Sequence, residues 1–278
     1  MTWLQSIVIA ILQGATELFP VSSLGHAVIL PKLLGLGIDQ RAHEFLPFIV
    51  MMHLGTAMAL LTFFRRDWWA LGMGTIGLAA PHQVVESRRV CALIVLATIP
   101  AVIAGFFLEK IVRGLFASPL IAASFLVANG FLLIFGESLR AKTHRPLSSL
   151  TWRDALFIGG WQCLALIPGI SRSGVTIVAG LLRGVSHEGS AHFSFLIATP
   201  IIIGATVYEA PKLLHAQMEP GIFLMASVAA LMAGVTAYLS TWFLMRYFRG
   251  HDIWALNPFA YYCITLGLGS IAALLLVV

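Results

Sequence analysis

Two short stretches of this chain hold the side chains that could do chemistry. In Pro168-Gly169-Ile170-Ser171-Arg172-Ser173-Gly174-Val175-Thr176, a guanidinium sits among three hydroxyls, and the sequence is almost purely apolar for ten residues on either side. An arginine at the centre of a membrane helix costs roughly 2.5 to 3.5 kcal/mol even on lenient scales, so such a residue is by default a functional-site hypothesis. A rigid fork of N–H donors ringed by hydroxyls suits an anion with several oxygens, phosphate above all. The competing reading is an arginine snorkelling from a helix end. The second stretch, Gln13-Gly14-Ala15-Thr16-Glu17-Leu18-Phe19-Pro20-Val21-Ser22-Ser23-Leu24-Gly25-His26, offers a carboxylate, hydroxyls and an imidazole. Opposite an arginine, these are the parts needed to move a phosphoryl group: a nucleophile, a general base or acid, and a charge clamp.

The spacing says how helices would present them. Gln13 and Glu17 lie four residues apart and share a helix face. Pro20 stops that helix and leaves Ser22 and Ser23 where they can cap a second half-helix, Ser22 being the favoured cap. A fresh helix N-terminus presents free N–H groups to an anion. Glu17, Ser23 and His26 are expected to converge there, with Ser171, Ser173 and Thr176 around Arg172. Each has a plainer reading as well: a capping serine, an interior histidine with its hydrogen bonds satisfied, or, for Gln13, an amide that bonds the break instead of a metal. His53 and His192 could line the same cavity.

Composition sets the surroundings. With 59% hydrophobic residues, 10% charged residues and a mean hydropathy of +0.92 over 278 residues, the chain reads as one all-α polytopic membrane domain, 1–278. Six stretches are long and apolar enough to cross a bilayer: 45–64, 90–108, 119–137, 191–209, 221–245 and 256–277. Residues 2–35 and 153–184 are interrupted, at Pro20 and Gly25 in the first and at Pro168, Gly169 and Gly174 in the second, and are expected to be re-entrant broken-helix hairpins. The N-terminus shows no removable signal peptide. Cys91, Cys163 and Cys263 lie far apart in apolar runs, which speaks against a metal site or a disulfide framework.

The net charge of +5 does not form a nucleic-acid stripe, because the basic residues sit at the ends of apolar segments. Arg65, Arg66, Arg88, Arg89, Arg140, Lys142, Arg145, Arg153, Arg183, Arg246 and Arg249 fall on one side, and Lys32, Arg41, Lys110, Arg113 and Lys212 on the other. The richer side is expected to be cytoplasmic, with both termini outside. The two broken regions align at an offset of 149 residues, which pairs Gln13 with Gln162, Ser22 with Ser171, Gly25 with Gly174 and Gly55 with Gly204. Three spans lie between them, so copies over roughly 1–64 and 150–210 would form an inverted repeat with tips meeting near the midplane. A chance match of Gly and Ser is the alternative.

The Gln13-x-x-x-Glu17 element with Pro20-Val21-Ser22-Ser23-x-Gly25-His26, together with Pro168-Gly169-x-Ser171-Arg172-Ser173-x-x-Thr176 and Phe193-Ser194-Phe195, closely resembles the bacterial undecaprenyl-diphosphatase family known as bacitracin-resistance proteins. The similarity spans nearly the whole chain. It implies an enzyme of the bacterial cytoplasmic (inner) membrane that removes the terminal phosphate of the C55 lipid pyrophosphate and returns the carrier to peptidoglycan synthesis. It also implies re-entrant helix pairs in inverted repeat. By position, the family's acidic element falls on Gln13 and Glu17, its serine on Ser23, its histidine on His26, and its phosphate motif on Ser171, Arg172, Ser173 and Thr176. The chain departs from the family with Leu24 for a common Thr, His53 for Gln, His192 for Glu, and Gln13 for a frequent Glu. A divalent cation, Mg2+ or Ca2+, is implied by the resemblance alone; Gln13 and Glu17 are the residues that could hold it, and the Gln weakens that role.

The reading is therefore a phosphatase acting on a prenyl diphosphate within membrane lipid. Arg172 clamps phosphate, Ser23 attacks with Glu17 or His26 as base, and attack by His26 is the variant left open. The site is expected to open to the outer side. The rival class is an inverted-repeat secondary transporter or prenyl-phosphate flippase. Both a monomer and a homo-oligomer are compatible with the sequence.

Overall fold

Apolar runs bounded by Pro, Gly, Ser and Thr become helices in the computed structural model, which describes residues 2–35, 45–115, 118–140, 145–215, 220–251 and 253–276. Arg41 and Lys142 of the charge count lie outside the described residues. Within them the chain is all-α, with a single isolated bridge pairing Arg145 and Val185.

The first hairpin is α1 (Trp3–Leu18) packed along α2 (Ser23–Leu33); the second is α7 (Trp152–Gln162), continued by a short 3-10 turn, packed along α8 (Arg172–Leu182). Eleven residues of helix rise only about 16 Å, half the ~30 Å hydrocarbon core, so α2 and α8 cannot cross it alone. Between and after the hairpins run α3 (Phe45–Phe63), α4 (Arg65–Thr75), α5 (Pro81–Leu115), α6 (Pro119–Ser138), α9 (His187–His215), α10 (Pro220–Gly250) and α11 (Asn257–Leu276). Five of these helices are long and apolar enough to span, and six if α3 and α4, bent by 75°, count as one span. This is a multi-pass membrane protein.

Five of the six expected spans stand with shifted ends, and 45–64 qualifies only when joined to α4 across the bend. α5 begins nine residues before the expected 90 and α10 runs five past 245, because a helix can extend beyond the hydrocarbon on polar turns. Gly25 and Gly174, read as breakers, are not in the breaks: each is the third residue of the following helix, where its N–H bonds the capping serine. Their small size is what the fold uses, since a Cβ on Gly25 would stand 3.1 Å from the Gly169 Cα.

Close helix packing gives the hairpins a wall to rest on. α6 and α11 meet at Gly130, where a Cβ would lie 2.7 Å from the Ala260 carbonyl, and α3 meets α10 where Gly55 faces Ala230 and Gly234 faces Gly55. Gly159 packs likewise on Ala97 of α5, whereas Gly160 faces open space. α6 touches both α2 and α8, which makes it the element common to the two hairpins. Exposed Phe106, Phe107, Leu231 and Leu239 give α5 and α10 outward faces suited to lipid. At the base of the second hairpin, the buried carboxylate of Asp154 accepts from Thr151, Arg145 and Arg183 and ties the hairpin to the preceding loop.

Candidate active site

α1 ends because Pro20 has no N–H and holds Phe19 extended (φ −67°, ψ 146°). Ser22 then adopts φ +68° and its hydroxyl accepts the Gly25 N–H at 3.2 Å, which starts α2 with Ser23 as the first helical residue. The second break does the same by another route. Gly169 takes φ +100°, and the Ser171 hydroxyl accepts the Gly174 N–H at 3.1 Å, so α8 starts with Arg172. Both new N-termini leave their leading N–H groups without helical partners.

Ser23 and Arg172 meet on one carboxylate. The Ser23 hydroxyl donates to Glu17 Oε2 at 2.6 Å, the Gln13 amide donates to the same oxygen at 2.8 Å, and Arg172 Nη2 donates to Oε1 at 3.1 Å. Gln13, Glu17 and Ser23 are all buried. The other terminal nitrogen, Arg172 Nη1, is buried and has no hydrogen-bond partner. A buried donor left unmatched costs roughly 1 to 3 kcal/mol, more when charged, and an anionic oxygen is its natural complement.

His53 joins this group from α3. Its Nδ1 lies 2.9 Å from the Ile49 carbonyl, which can only accept, so Nδ1 carries the proton. Nε2 then receives the Gln13 amide at 3.3 Å and stands 3.8 Å from Glu17 Oε2. The imidazole is 21% exposed, against 7% for Glu17, and forms the more open wall.

The remaining chosen residues hold the breaks. Ser171 and Ser173 both donate to the Phe19 carbonyl, at 3.2 and 3.0 Å, so the second break is bonded directly to the first. Neither hydroxyl bonds the guanidinium. The Thr176 hydroxyl is 2.6 Å from that of Ser194 on α9 and donates to the Arg172 carbonyl, which ties α8 to α9. His26 makes no hydrogen bond to Glu17 or Ser23. It is fully buried, with Nδ1 at 2.7 Å from the Ser22 carbonyl and Nε2 at 2.8 Å from the Tyr262 hydroxyl, its ring stacked on that tyrosine. His192 faces α4, 3.3 Å from Asp67 and stacked on Phe64.

Two residues not singled out from the sequence belong here. Asn129 of α6 donates to the Pro20 carbonyl at 3.0 Å and accepts the Ser171 N–H at 2.9 Å, touching both breaks. As the only amide in its span, set in the apolar run from Phe125 to Phe135, it carried a signal. Tyr262 of α11, which holds His26, is one aromatic residue among many in the chain and carried none.

The family model for bacitracin resistance protein BacA matches residues 6–269. The chain belongs to that family. Similar proteins include the undecaprenyl-diphosphatases of Granulibacter bethesdensis, 61% identical over 98% of this chain and 97% of the relative, and of Acidiphilium cryptum, 57% identical over 96% of each. That of Gluconacetobacter diazotrophicus is 55% identical over 96% of this chain and 95% of the relative. Gln13, Glu17, Ser23 and Arg172, which meet on the Glu17 carboxylate, all lie within the stretch matched to BacA.

Proposed function

We propose that this BacA-family protein hydrolyses undecaprenyl diphosphate to undecaprenyl phosphate and inorganic phosphate, recycling the lipid carrier for peptidoglycan synthesis and conferring bacitracin resistance. The observation that carries this reading is the shared carboxylate: Glu17 holds a serine hydroxyl on one oxygen and an arginine with an unmatched N–H on the other. A transporter needs an anion site, but not a hydroxyl hydrogen-bonded to a buried carboxylate beside it.

Arg172 leaves Glu17 to grip the distal phosphate with both terminal nitrogens, joined by the leading N–H groups of α2 and α8. Ser171 and Ser173 reach the same phosphate if they release the Phe19 carbonyl. Glu17, relieved of its cation, takes the Ser23 proton as Ser23 Oγ attacks the distal phosphorus. The phosphoanhydride bond breaks, undecaprenyl phosphate departs with the bridging oxygen, and phosphoserine remains. Water then attacks the phosphoserine, the P–Oγ bond breaks as Glu17 returns its proton to the Ser23 oxygen, and phosphate leaves as H2PO4− with both protons of that water, so that the serine and the Glu17 carboxylate are restored. Fixed positive charge against the transferring group is the largest contribution. His26, whose two ring nitrogens are engaged, supports the Ser22 carbonyl.

The divalent cation implied by the family finds a poor cage here. Among the described residues no three of His, Cys, Asp or Glu come together, Glu17 is shared among Arg172, Ser23 and Gln13, and Gln13 turns its NH2 to Glu17. Hard cations want several free oxygens. A divalent cation, where one takes part, would have to arrive with the diphosphate, whose charge it would neutralise.

The prenyl tail lies among the apolar helices and lipid. The charge bias supports a cytoplasmic-membrane orientation with both termini outside and the site opening outward. The recurrence at 149 residues supports reading the hairpins as copies in inverted repeat. The deciding assay is phosphate release from a prenyl diphosphate by the purified protein in detergent. Binding without release would favour the transporter class.

A further inference from the structure

We propose that Asn129 is a positioning residue that sets the distance between the attacking serine and the phosphate clamp; this rests on the phosphatase reading above. Its amide meets the two backbone groups that the breaks set free. Pro20 lies past the end of α1, and its carbonyl accepts Asn129 Nδ2 at 3.0 Å. Ser171 caps α8, its N–H is not used by that helix, and it donates to Asn129 Oδ1 at 2.9 Å. One side chain thus bonds a point three residues before Ser23 and the residue directly before Arg172.

The rest of α6 makes that bond a fixed reference. Asn129 is fully buried, and its NH2 also lies 3.4 Å from the Cys263 sulfur on α11. One to two turns earlier, Gly169 at the tip of the second break sits against the α6 backbone, where a Cβ would meet the Ala122 carbonyl at 2.3 Å and Leu126 N at 2.7 Å. The tip therefore cannot slide along α6 without a clash, and the amide determines how the first break lies beside it. The task needs one donor and one acceptor on a short stem. Aspartate supplies two acceptors, so one of its oxygens would face the Pro20 carbonyl. Leucine fills the volume and bonds neither group. Ser171 and Ser173 also bridge the breaks, through the Phe19 carbonyl, but that bridge is lost if their hydroxyls turn to phosphate. The Asn129 bonds lie behind the site and persist through the reaction.

In-line attack tolerates little error: misplacing reacting groups by about 1 Å removes on the order of 100-fold in rate. The test measures phosphate release from prenyl diphosphate for wild type, N129L, N129D, R172K and N129L/R172K, each in detergent, with folded protein quantified by thermal melting. The expected result is a kcat for N129L lower by roughly 100-fold with KM within about threefold of wild type, N129D lying between them. N129L should cost much less again in the R172K background, because both changes spoil the same alignment. A leucine that only had to fill space would restore the rate. N129L with kcat within about twofold of wild type, or losses that multiply independently in the double variant, overturn the inference. Where N129L does not fold, N129D decides: a kcat equal to wild type overturns the inference and an intermediate kcat supports it. No release by wild type overturns the phosphatase reading and this inference together, whereas release by wild type with an undiminished N129L overturns the positioning role alone.

Discussion

The two hairpins use one plan to present different chemistry. α1 and α7 both start on a threonine capping box, at Thr2 with Gln5 and at Thr151 with Asp154; α2 and α8 both start on a serine cap, at Ser22 and Ser171. α2 and α8 are each eleven residues, Ser23–Leu33 and Arg172–Leu182, and every one of these features recurs at 149 residues. What differs is the residue after the cap, a hydroxyl in one and a guanidinium in the other, and the helix before it. α1 brings Gln13 and Glu17, whereas at the matching positions of α7 and its 3-10 turn, Gln162 bonds the Ala97 carbonyl and Leu166 replaces the acid. A cap fixes where the first helical side chain stands without specifying what it is. On the proposed inverted repeat, one scaffold has thus become a nucleophile half and a clamp half.

That division is broken most directly at Ser23. S23A should lose roughly 10⁴-fold in phosphate release and form no phosphoenzyme, because water would have to attack without the hydroxyl that Glu17 holds. Acid-quench trapping with wild type should find phosphoserine. Phosphohistidine, or an S23A variant within about tenfold of wild type, would move the attacking role out of the first break.

On the clamp side, R172A should lose on the order of 10³-fold and R172K about 10²-fold, measured as kcat/KM for phosphate release. Lysine keeps the charge but cannot supply the second donor that Nη1 represents. Equal loss in the two variants would mean that the fork geometry is irrelevant. Near-normal activity in either would remove the clamp.

The effect at His26 should be far smaller, since its ring bonds Ser22 and Tyr262 and not the reacting group. H26A should lose roughly tenfold, equivalent to about 1.4 kcal/mol of misalignment, and should still form phosphoserine. Loss of the phosphoenzyme in H26A would restore the imidazole to the chemistry.

Much of this was legible from residue types because it is local. Proline at 20 must end a helix and a serine two residues on can cap the next; a buried Arg172 must find an anion, and Glu17 was the available acid. Tertiary information was not legible in the same way. Gly25 and Gly174 read as breakers because glycine signals both a turn and a close approach, and only the position of Gly169 shows that closeness is the reason at Gly25. The direction of the Ser171, Ser173 and Thr176 hydroxyls depends on Phe19 and Ser194, and that of the His26 ring on Tyr262, 236 residues away. His53 reaches Glu17 from a separate helix whose apolar sequence gives its imidazole no direction. Asn129 was passed over although it is a lone amide in its span, because its two partners become available only where both helices break beside it.

The smallest effect sharpens the comparison most finely, because the two capping serines differ in backbone. Ser22 sits at φ +68°, a region that L side chains resist, while Ser171 sits at φ −87° and ψ 126°, ordinary extended backbone. Replacing Ser171 with alanine removes a cap and the bond to the Phe19 carbonyl and should destabilise by about 2 kcal/mol. Replacing Ser22 with glycine removes a cap but also relieves the left-handed backbone, so the net change should stay within about 0.5 kcal/mol. S22A loses only the cap, without that relief, and should fall between S22G and S171A. Unfolding of the detergent-solubilised variants ranks the three. If S22G were as damaging as S171A, the strained serine would be contributing more than a cap, and the first break would owe its shape to the Ser22 side chain.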